Sequence, residues 1–368
     1  MHAVKSQHLK TAAVRKAVSA ELLHWFAANA RDLPWRKNRT PYRVWISEIM
    51  LQQTRVDTVI DYYRRWMKAF PSWKALAAAP QSDVLKLWEG LGYYSRARNL
   101  HAAAKTVAEE YGGKPPSSAA QLRTLPGIGS YTAAAIASLA FGENAAVVDG
   151  NVIRVISRLF AFSGDTKSST GRKQIQSWAD ELLVKSRAGE FNEAMMELGA
   201  LICLPRNPKC PDCPMRKVCA AFIEGKSSAY PVLKKKTKVR HITVGAAVTI
   251  NRKGEVLIAQ RKQDDMLGGL WEFPGGKQES GETVQECIAR ELHEELGVKI
   301  VVGEHLITVN HAYSHFTMTM HVHRARIAEG RPRPIHCADY AWVRVPDLGK
   351  FAWSKADLQV VRKLMQSE

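Results

Sequence analysis

The chain has 368 residues and a formal net charge of +18, which is long enough for two domains with separate cores. A positive surplus of that size favours a polyanionic partner, nucleic acid ahead of an anionic membrane surface. No apolar run approaches the roughly 18 residues of a membrane helix, and Met1 to Lys10 lacks the apolar core of a secretory signal. The expected setting is therefore a reducing cytoplasm of bacterial type, in association with the nucleoid.

Residues 1 to 225 read as an all-α domain. Apolar residues recur at helical spacing in Val18, Leu22, Leu23, Trp25 and Phe26, and again in Val44 to Met50, Val59 to Trp66 and Val84 to Trp88. Breakers at Pro41, Pro71, Pro80, Gly112-Gly113 and Pro115-Pro116 separate these runs. Between two further helical patterns lies Leu125-Pro126-Gly127-Ile128-Gly129-Ser130-Tyr131-Thr132. Gly127 and Gly129 permit a sharp turn and close backbone approach. The helix that follows points free N–H groups and its positive dipole end forward, where a phosphate fits. An ordinary glycine-capped turn accounts for these residues equally well.

Four cysteines follow, Cys203, Cys210, Cys213 and Cys219, spaced C-x6-C-x2-C-x5-C. Without signs of secretion, thiols this close suggest a metal or cluster site rather than a disulfide framework. A zinc ribbon usually shows two C-x2-C hooks and only one is present. A cubane takes one thiolate per iron and tolerates uneven spacing. Zinc and free thiols remain alternatives from the spacing alone. The other two cysteines, Cys287 and Cys337, have no assigned role.

Residues 226 to 240 form a polar, basic connector that includes Lys234-Lys235-Lys236. Beyond it the period changes. Ile242 to Ile250 and Val256 to Gln260 predict strands, a helix is expected at about 283 to 296, and further strand-like runs end near Val345. Residues 241 to 368 thus read as an α+β domain. Nothing points to an obligate oligomer.

Residues 1 to 225 resemble the endonuclease III superfamily of helix-hairpin-helix DNA glycosylases, in detail the adenine DNA glycosylases of the MutY type. The resemblance rests on Arg31-Asp32-Leu33-Pro34-Trp35-Arg36, Trp45 to Thr54, Gly90-Leu91-Gly92-Tyr93-Tyr94-Ser95-Arg96, Val148-Asp149-Gly150-Asn151-Val152 and the four cysteines. It implies a monofunctional enzyme of base excision repair. Such an enzyme hydrolyses the N-glycosidic bond of adenine mispaired with 8-oxoguanine or guanine in double-stranded DNA. It also implies a [4Fe-4S] cluster on Cys203, Cys210, Cys213 and Cys219.

Purine removal needs an acid for a ring nitrogen and an anion beside the developing oxocarbenium ion. Taken alone, Glu48 reads as a solvated helix glutamate and Asp149 as an N-cap. The resemblance makes Glu48 the general acid, whose proton burial would retain, and Asp149 the stabiliser of the sugar cation. It assigns Asn151 to orienting this site, and Arg31, Trp35 and Glu193 to the adenine pocket. It places Gly127 and Gly129 on the DNA backbone, with Gln53 and Tyr93 as wedges in the duplex. Tyr131 stands where strand-cleaving relatives carry a lysine nucleophile, so base removal by water with little strand cleavage is expected.

Residues 241 to 368 resemble a Nudix domain. Gly276, Glu282, Arg290-Glu291-Leu292-His293-Glu294-Glu295-Leu296-Gly297-Val298 satisfy G-x5-E-x7-R-E-U-x-E-E-x-G-U, where U is a bulky aliphatic residue. Glu291, Glu294 and Glu295 share one helix face, where Mg2+ or Mn2+ would relieve their repulsion. A solvated acidic face reads as well. The intact box raises the alternative of Nudix hydrolase activity on oxidised nucleoside triphosphates. In the glycosylase family this domain recognises 8-oxoguanine, here through Tyr313, Ser314 and His315. A DNA-binding module without catalysis is the remaining alternative, and Glu48 with Asp149 argues against it.

Overall fold

The computed structural model describes residues 12–232, 239–313 and 315–366. Contacts divide the chain into two compact units, one within Met1–Lys74 and Ala102–Lys236, the other within Ala75–His101 and Thr237–Glu368. Lys234, Lys235 and Lys236 of the expected connector lie outside the described residues. Among the described residues no helix is long and apolar enough to cross a membrane.

Among its described residues, the regular elements of the first unit are all helices. Leu22 and Phe26 from helix Ala12–Asn29, Val155, Ile156 and Leu159 from Gly150–Leu159, Ile175 and Ala179 from Ser169–Leu182, and Phe191, Ala194 and Leu198 from Ala188–Leu201 share one core. Each of the larger side chains contributes roughly 1.5–3 kcal/mol on burial, the alanines less. Helix Pro41–Leu51 begins with Pro41 in its first turn and with Thr40 accepting from the Arg43 N–H at 3.3 Å. Tyr42 and every residue from Val44 to Met50 are buried. Trp45 packs edge-on against Trp73, with ring centroids 4.6 Å apart. This all-round burial, rather than any feature of the residue itself, encloses Glu48.

The second unit holds two sheets. Its strands are β1 (Arg240–Thr249), β2 (Glu255–Gln260), β3 (Trp271–Glu272), β4 (Gly275–Lys277), β5 (Lys299–Ala312), β6 (Phe316–Glu329) and β7 (Asp339–Arg344). The sheet orders are β4-β1-β6-β5 and β3-β2-β7. β1 and β6 run parallel, and the other pairs are antiparallel. Helix Val284–Leu296 buries Ile288, Leu292 and Leu296 in a core with Ala247 and Ala325. Thr283 and Glu286 form a reciprocal capping box at its start, and Gly297 ends it in the left-handed conformation.

The helical segment 75–101 groups with the second unit, whereas the sequence places it within one α domain of residues 1 to 225. Lys86 Nζ donates to Phe351 O at 2.8 Å, and Glu89 accepts from Trp353 N at 2.8 Å. Tyr94 Oη donates to Trp353 O at 2.9 Å, and Arg98 to Gly268 O at 2.7 Å. A helical apolar period reveals that a face is buried but not which core buries it.

Replacing Thr283 by alanine removes the capping box. The expected loss is about 1 kcal/mol of second-unit stability, read from denaturant unfolding of the full chain. An unchanged midpoint contradicts this.

Candidate active site

A cavity of about 180 Å³ opens within the first unit, among helices Pro41–Leu51, Ser130–Phe141, Gly150–Leu159 and Ala188–Leu201. Arg31, Trp35, Glu48, Tyr131, Asp149, Asn151 and Glu193 all line it. The five residues implied for acid, carboxylate and adenine pocket, with Asn151 and Tyr131, therefore meet around one space. Trp35 is buried edge-on against Tyr63, ring centroids 5.4 Å apart.

Burial pushes the Glu48 carboxyl up to about 7, and the negative charges of Glu193 and Asp149 act in the same direction. The Tyr131 hydrogen bond and the Arg36 charge oppose them. Tyr131 Oη donates to Glu48 Oε2 at 3.0 Å. Burial, with Glu48 nearby, holds the phenol well above its ordinary range, so it stays a donor. Gln52 Nε2 donates to Thr132 Oγ1 at 2.9 Å and ties the Glu48 helix to the Tyr131 helix.

Asp149 is the N-cap expected of it. Its Oδ1 accepts from Val152 N at 2.7 Å and its Oδ2 from Asn151 Nδ2 at 2.9 Å. These donors and Arg154 favour the carboxylate, yet burial outweighs them and the net displacement is upward from 3.8. The cap limits that rise rather than reversing it. Arg154 extends the arrangement. Its guanidinium donates to Asn151 Oδ1 at 2.8 Å, Gly199 O at 2.7 Å and Cys203 O at 2.6 Å.

The cavity also holds residues absent from the sequence reading. Glu197 is 2% exposed and is pulled down to about 2 by hydrogen bonds from Arg31 and Arg36, against its own burial. Arg36 Nε also donates to Glu193 Oε1 at 3.2 Å, and Arg39 pairs with Glu193 Oε2 at 2.7 Å. The spacing Glu193-x3-Glu197 on an otherwise apolar helix was the available signal, because two buried carboxylates one turn apart require cations.

In the hairpin, Gly127 takes φ +74°, and Gly129 precedes helix Ser130–Phe141 without a side-chain cap. The first N–H groups of that helix therefore lack a side-chain partner at the cap position. Gln53 and Tyr93 both adopt left-handed backbone, φ +58° and +48°, uncommon outside glycine. Tyr93 is 41% exposed.

The four cysteines line a single recess with Arg158, Arg216, Phe222 and Ser227. Arg158 is buried and donates to Cys203 Sγ at 3.2 Å, Leu204 O at 2.7 Å and Tyr230 O at 3.0 Å. Burial pushes Cys213 to about 12, and the other three thiolates add to the rise. Among the described residues no three His, Cys, Asp or Glu side chains are arranged to hold one metal ion. A cubane asks for something different, four thiolates spread over the corners of a cluster. Four thiols converging on one recess, with the buried Arg158 against Cys203, supply that number and kind of donor.

The carboxylates of the second unit depart from expectation. Arg290 donates to Glu291 Oε1 at 3.1 Å, Glu294 Oε2 at 3.2 Å and Glu282 Oε1 at 2.8 Å. Burial pushes Glu295 up to about 7. Arg290 thus engages Glu291 and Glu294, while Glu295 is left unpaired by it, and the three are not arranged around one point in this structure. The Arg290 guanidinium relieves the repulsion between Glu291 and Glu294. Tyr313 closes the β5–β6 turn through its N–H to Phe316 O at 2.9 Å, and its ring stacks on Phe316 at 4.7 Å. His315 is exposed beside it, and Ser314 lies outside the described residues.

Known proteins share this organisation. The family described as HhH-GPD superfamily base excision DNA repair protein matches residues 46–180, and the NUDIX domain matches 245–363. A Rattus norvegicus protein named adenine DNA glycosylase is 36% identical over 399 residues, covering 94% of this chain and 77% of its own. Its Homo sapiens namesake is 37% identical over 376 residues, covering 87% and 69%. The solved structure of a thermostable thymine-DNA glycosylase superposes with a TM-score of 0.52 at 34% identity, covering 57% of this chain and 97% of its own.

Gly199 brings helix Ala188–Leu201 against Asn151. A Cβ there would lie 2.6 Å from Asn151 Cβ and 3.2 Å from Asn151 Cα. Gly199→Ala should therefore shift Asn151 and the Asp149 cap, costing about 1–3 kcal/mol and lowering the single-turnover rate at least as clearly as the stability. Full stability and full rate together would contradict the close approach.

Proposed function

The chain belongs to the adenine DNA glycosylase family, and on that premise we propose that it removes adenine mispaired with 8-oxoguanine or guanine in double-stranded DNA. The observation that carries this reading is a pair of carboxylates in unlike environments on one cavity. Glu48 is dry and retains its proton to about 7, while Asp149 is held by an N–H and an amide.

The adenine enters the cavity as an extruded base beside Trp35. Glu193, a carboxylate acceptor, suits an exocyclic amine and repels a carbonyl. Glu48 gives its proton to a ring nitrogen, turning the base into a competent leaving group. Asp149 faces the developing positive charge on the sugar, with Asn151 and the Val152 N–H fixing its orientation. Water completes the hydrolysis. Tyr131 has no amine and cannot form an imine, so the strand remains intact. The hairpin N–H groups take DNA phosphate without reading sequence, and the net charge of +18 favours the approach.

Cys203, Cys210, Cys213 and Cys219 would hold a [4Fe-4S] cluster, which when bound cross-links the loop that Arg154 and Arg158 grip. The tip between β5 and β6, at Tyr313, Ser314 and His315, is the proposed contact to 8-oxoguanine. With Arg290 already pairing the Nudix-box carboxylates, recognition rather than pyrophosphate hydrolysis is the role proposed for the second unit.

A duplex with adenine opposite 8-oxoguanine should become alkali-labile at the adenine, remain uncut without alkali, and be untouched by Glu48→Gln. The single-turnover rate should fall as pH rises through about 7, because the acid acts only while protonated. Strand scission without alkali, or efficient borohydride trapping on DNA, would overturn this reading. For the cluster, iron and sulfide analysis should find about four of each per chain. Stoichiometric zinc would contradict it.

A further inference from the structure

We propose that Glu197 is a positioning residue that keeps Glu48 protonated by holding and neutralising the two arginines beside it. The proposal deepens the glycosylase reading and rests on it.

Glu197 lies one helical turn beyond Glu193 on Ala188–Leu201. Its Oε1 accepts from Arg31 N at 2.9 Å, Arg31 Nε at 2.8 Å and Arg36 Nη1 at 3.2 Å. Its Oε2 accepts from Arg31 Nη2 at 2.7 Å and Arg36 Nη2 at 3.2 Å. A carboxylate offers about four lone-pair sites, so these contacts saturate it. No acceptor capacity is left for a base in the pocket. Glu197 therefore acts through the arginines and not on the substrate.

The charges around the cavity show what that action does. Glu48 shares the cavity with Tyr131 on the hairpin helix, Asp149 at the N-cap of Gly150–Leu159, Glu193 and Glu197 on one helix, and Arg31, Arg36 and Arg39 on the segment before its own. Of these, Tyr131, Glu193, Asp149 and Arg36 act on it directly. Arg31, Arg36 and Arg39 thus meet Asp149, Glu193 and Glu197 around the cavity, and Arg154 adds a further positive charge beside Asp149. Arg36 is the cation that favours ionised Glu48. Without Glu197 its charge is left partly uncompensated in a dry site, where charges interact strongly. Glu48 then releases its proton at lower pH.

The test is the single-turnover rate of adenine release by the full-length protein, measured from about pH 5.5 to 9. Glu197→Gln should move the midpoint of the alkaline fall down by about one pH unit, a roughly tenfold slower rate above pH 8. Adding Arg36→Gln to it should return the midpoint toward wild type. Arg36→Gln alone should raise the midpoint, which keeps the idea testable if Glu197→Gln does not fold. A rate loss with an unmoved midpoint would make Glu197 merely structural and end the proposal, as would an unmoved midpoint in Arg36→Gln. Absence of adenine release by the unaltered protein would instead remove the glycosylase reading.

Discussion

Desolvation of one carboxyl governs this molecule. Glu48 sits on a helix whose flanking side chains are all buried, and loss of water outweighs the hydrogen bond from Tyr131 and the charge of Arg36. Asp149, across the same cavity, is also drawn from water but receives an N–H, an amide and a nearby arginine. One fold thereby provides an acid and an anion from the same functional group. The arrangement has a cost. The folded state keeps the Glu48 proton to about 7, while an unfolded chain releases it near 4.5. Stability falls as pH rises through that interval, by a few kcal/mol in all, and no further loss follows above it.

The rest of the first unit keeps those two groups in register. Helix Gly150–Leu159 begins at Asp149 and carries Arg154 and Arg158 one turn apart on one side. Arg154 joins Asn151 to the Cys203 carbonyl, and Arg158 reaches the Cys203 sulfur. The cysteine loop and the catalytic cap are thus mounted on a single rigid element. Helix Ala188–Leu201 contributes Glu193 and Glu197 from one side and, through Gly199, presses against Asn151. Asp149 and Asn151 are fixed by neighbours two or three residues away, whereas Glu48, Glu193 and Glu197 are fixed by partners far away in the chain.

That distance explains what could be read beforehand. The Glu48 helix, the glycine hairpin, the Asp149 cap, the four cysteines and the strand pattern from 241 onward rest on local spacing, which sequence displays directly. The Arg31–Glu197 pair spans 166 positions and the Arg36–Glu193 pair 157. No local period encodes such partners, although two glutamates one turn apart on an apolar helix hinted at buried cations. The Nudix box adds a pairing that its spacing does not display. Its spacing is complete, and Arg290, itself part of the motif, pairs Glu291 and Glu294 of the three carboxylates read as a metal site, which spacing alone does not reveal.

The central claim is that Glu48 holds its proton to near-neutral pH in the protein without DNA. Isotope-edited infrared or carbon NMR of labelled glutamate carboxyls, taken as the difference between the unaltered chain and Glu48→Gln, reads this ionisation directly. The account predicts a carboxyl titrating near 7, present in the first and missing in the second. A Glu48 midpoint at the ordinary value of about 4.5 would contradict it.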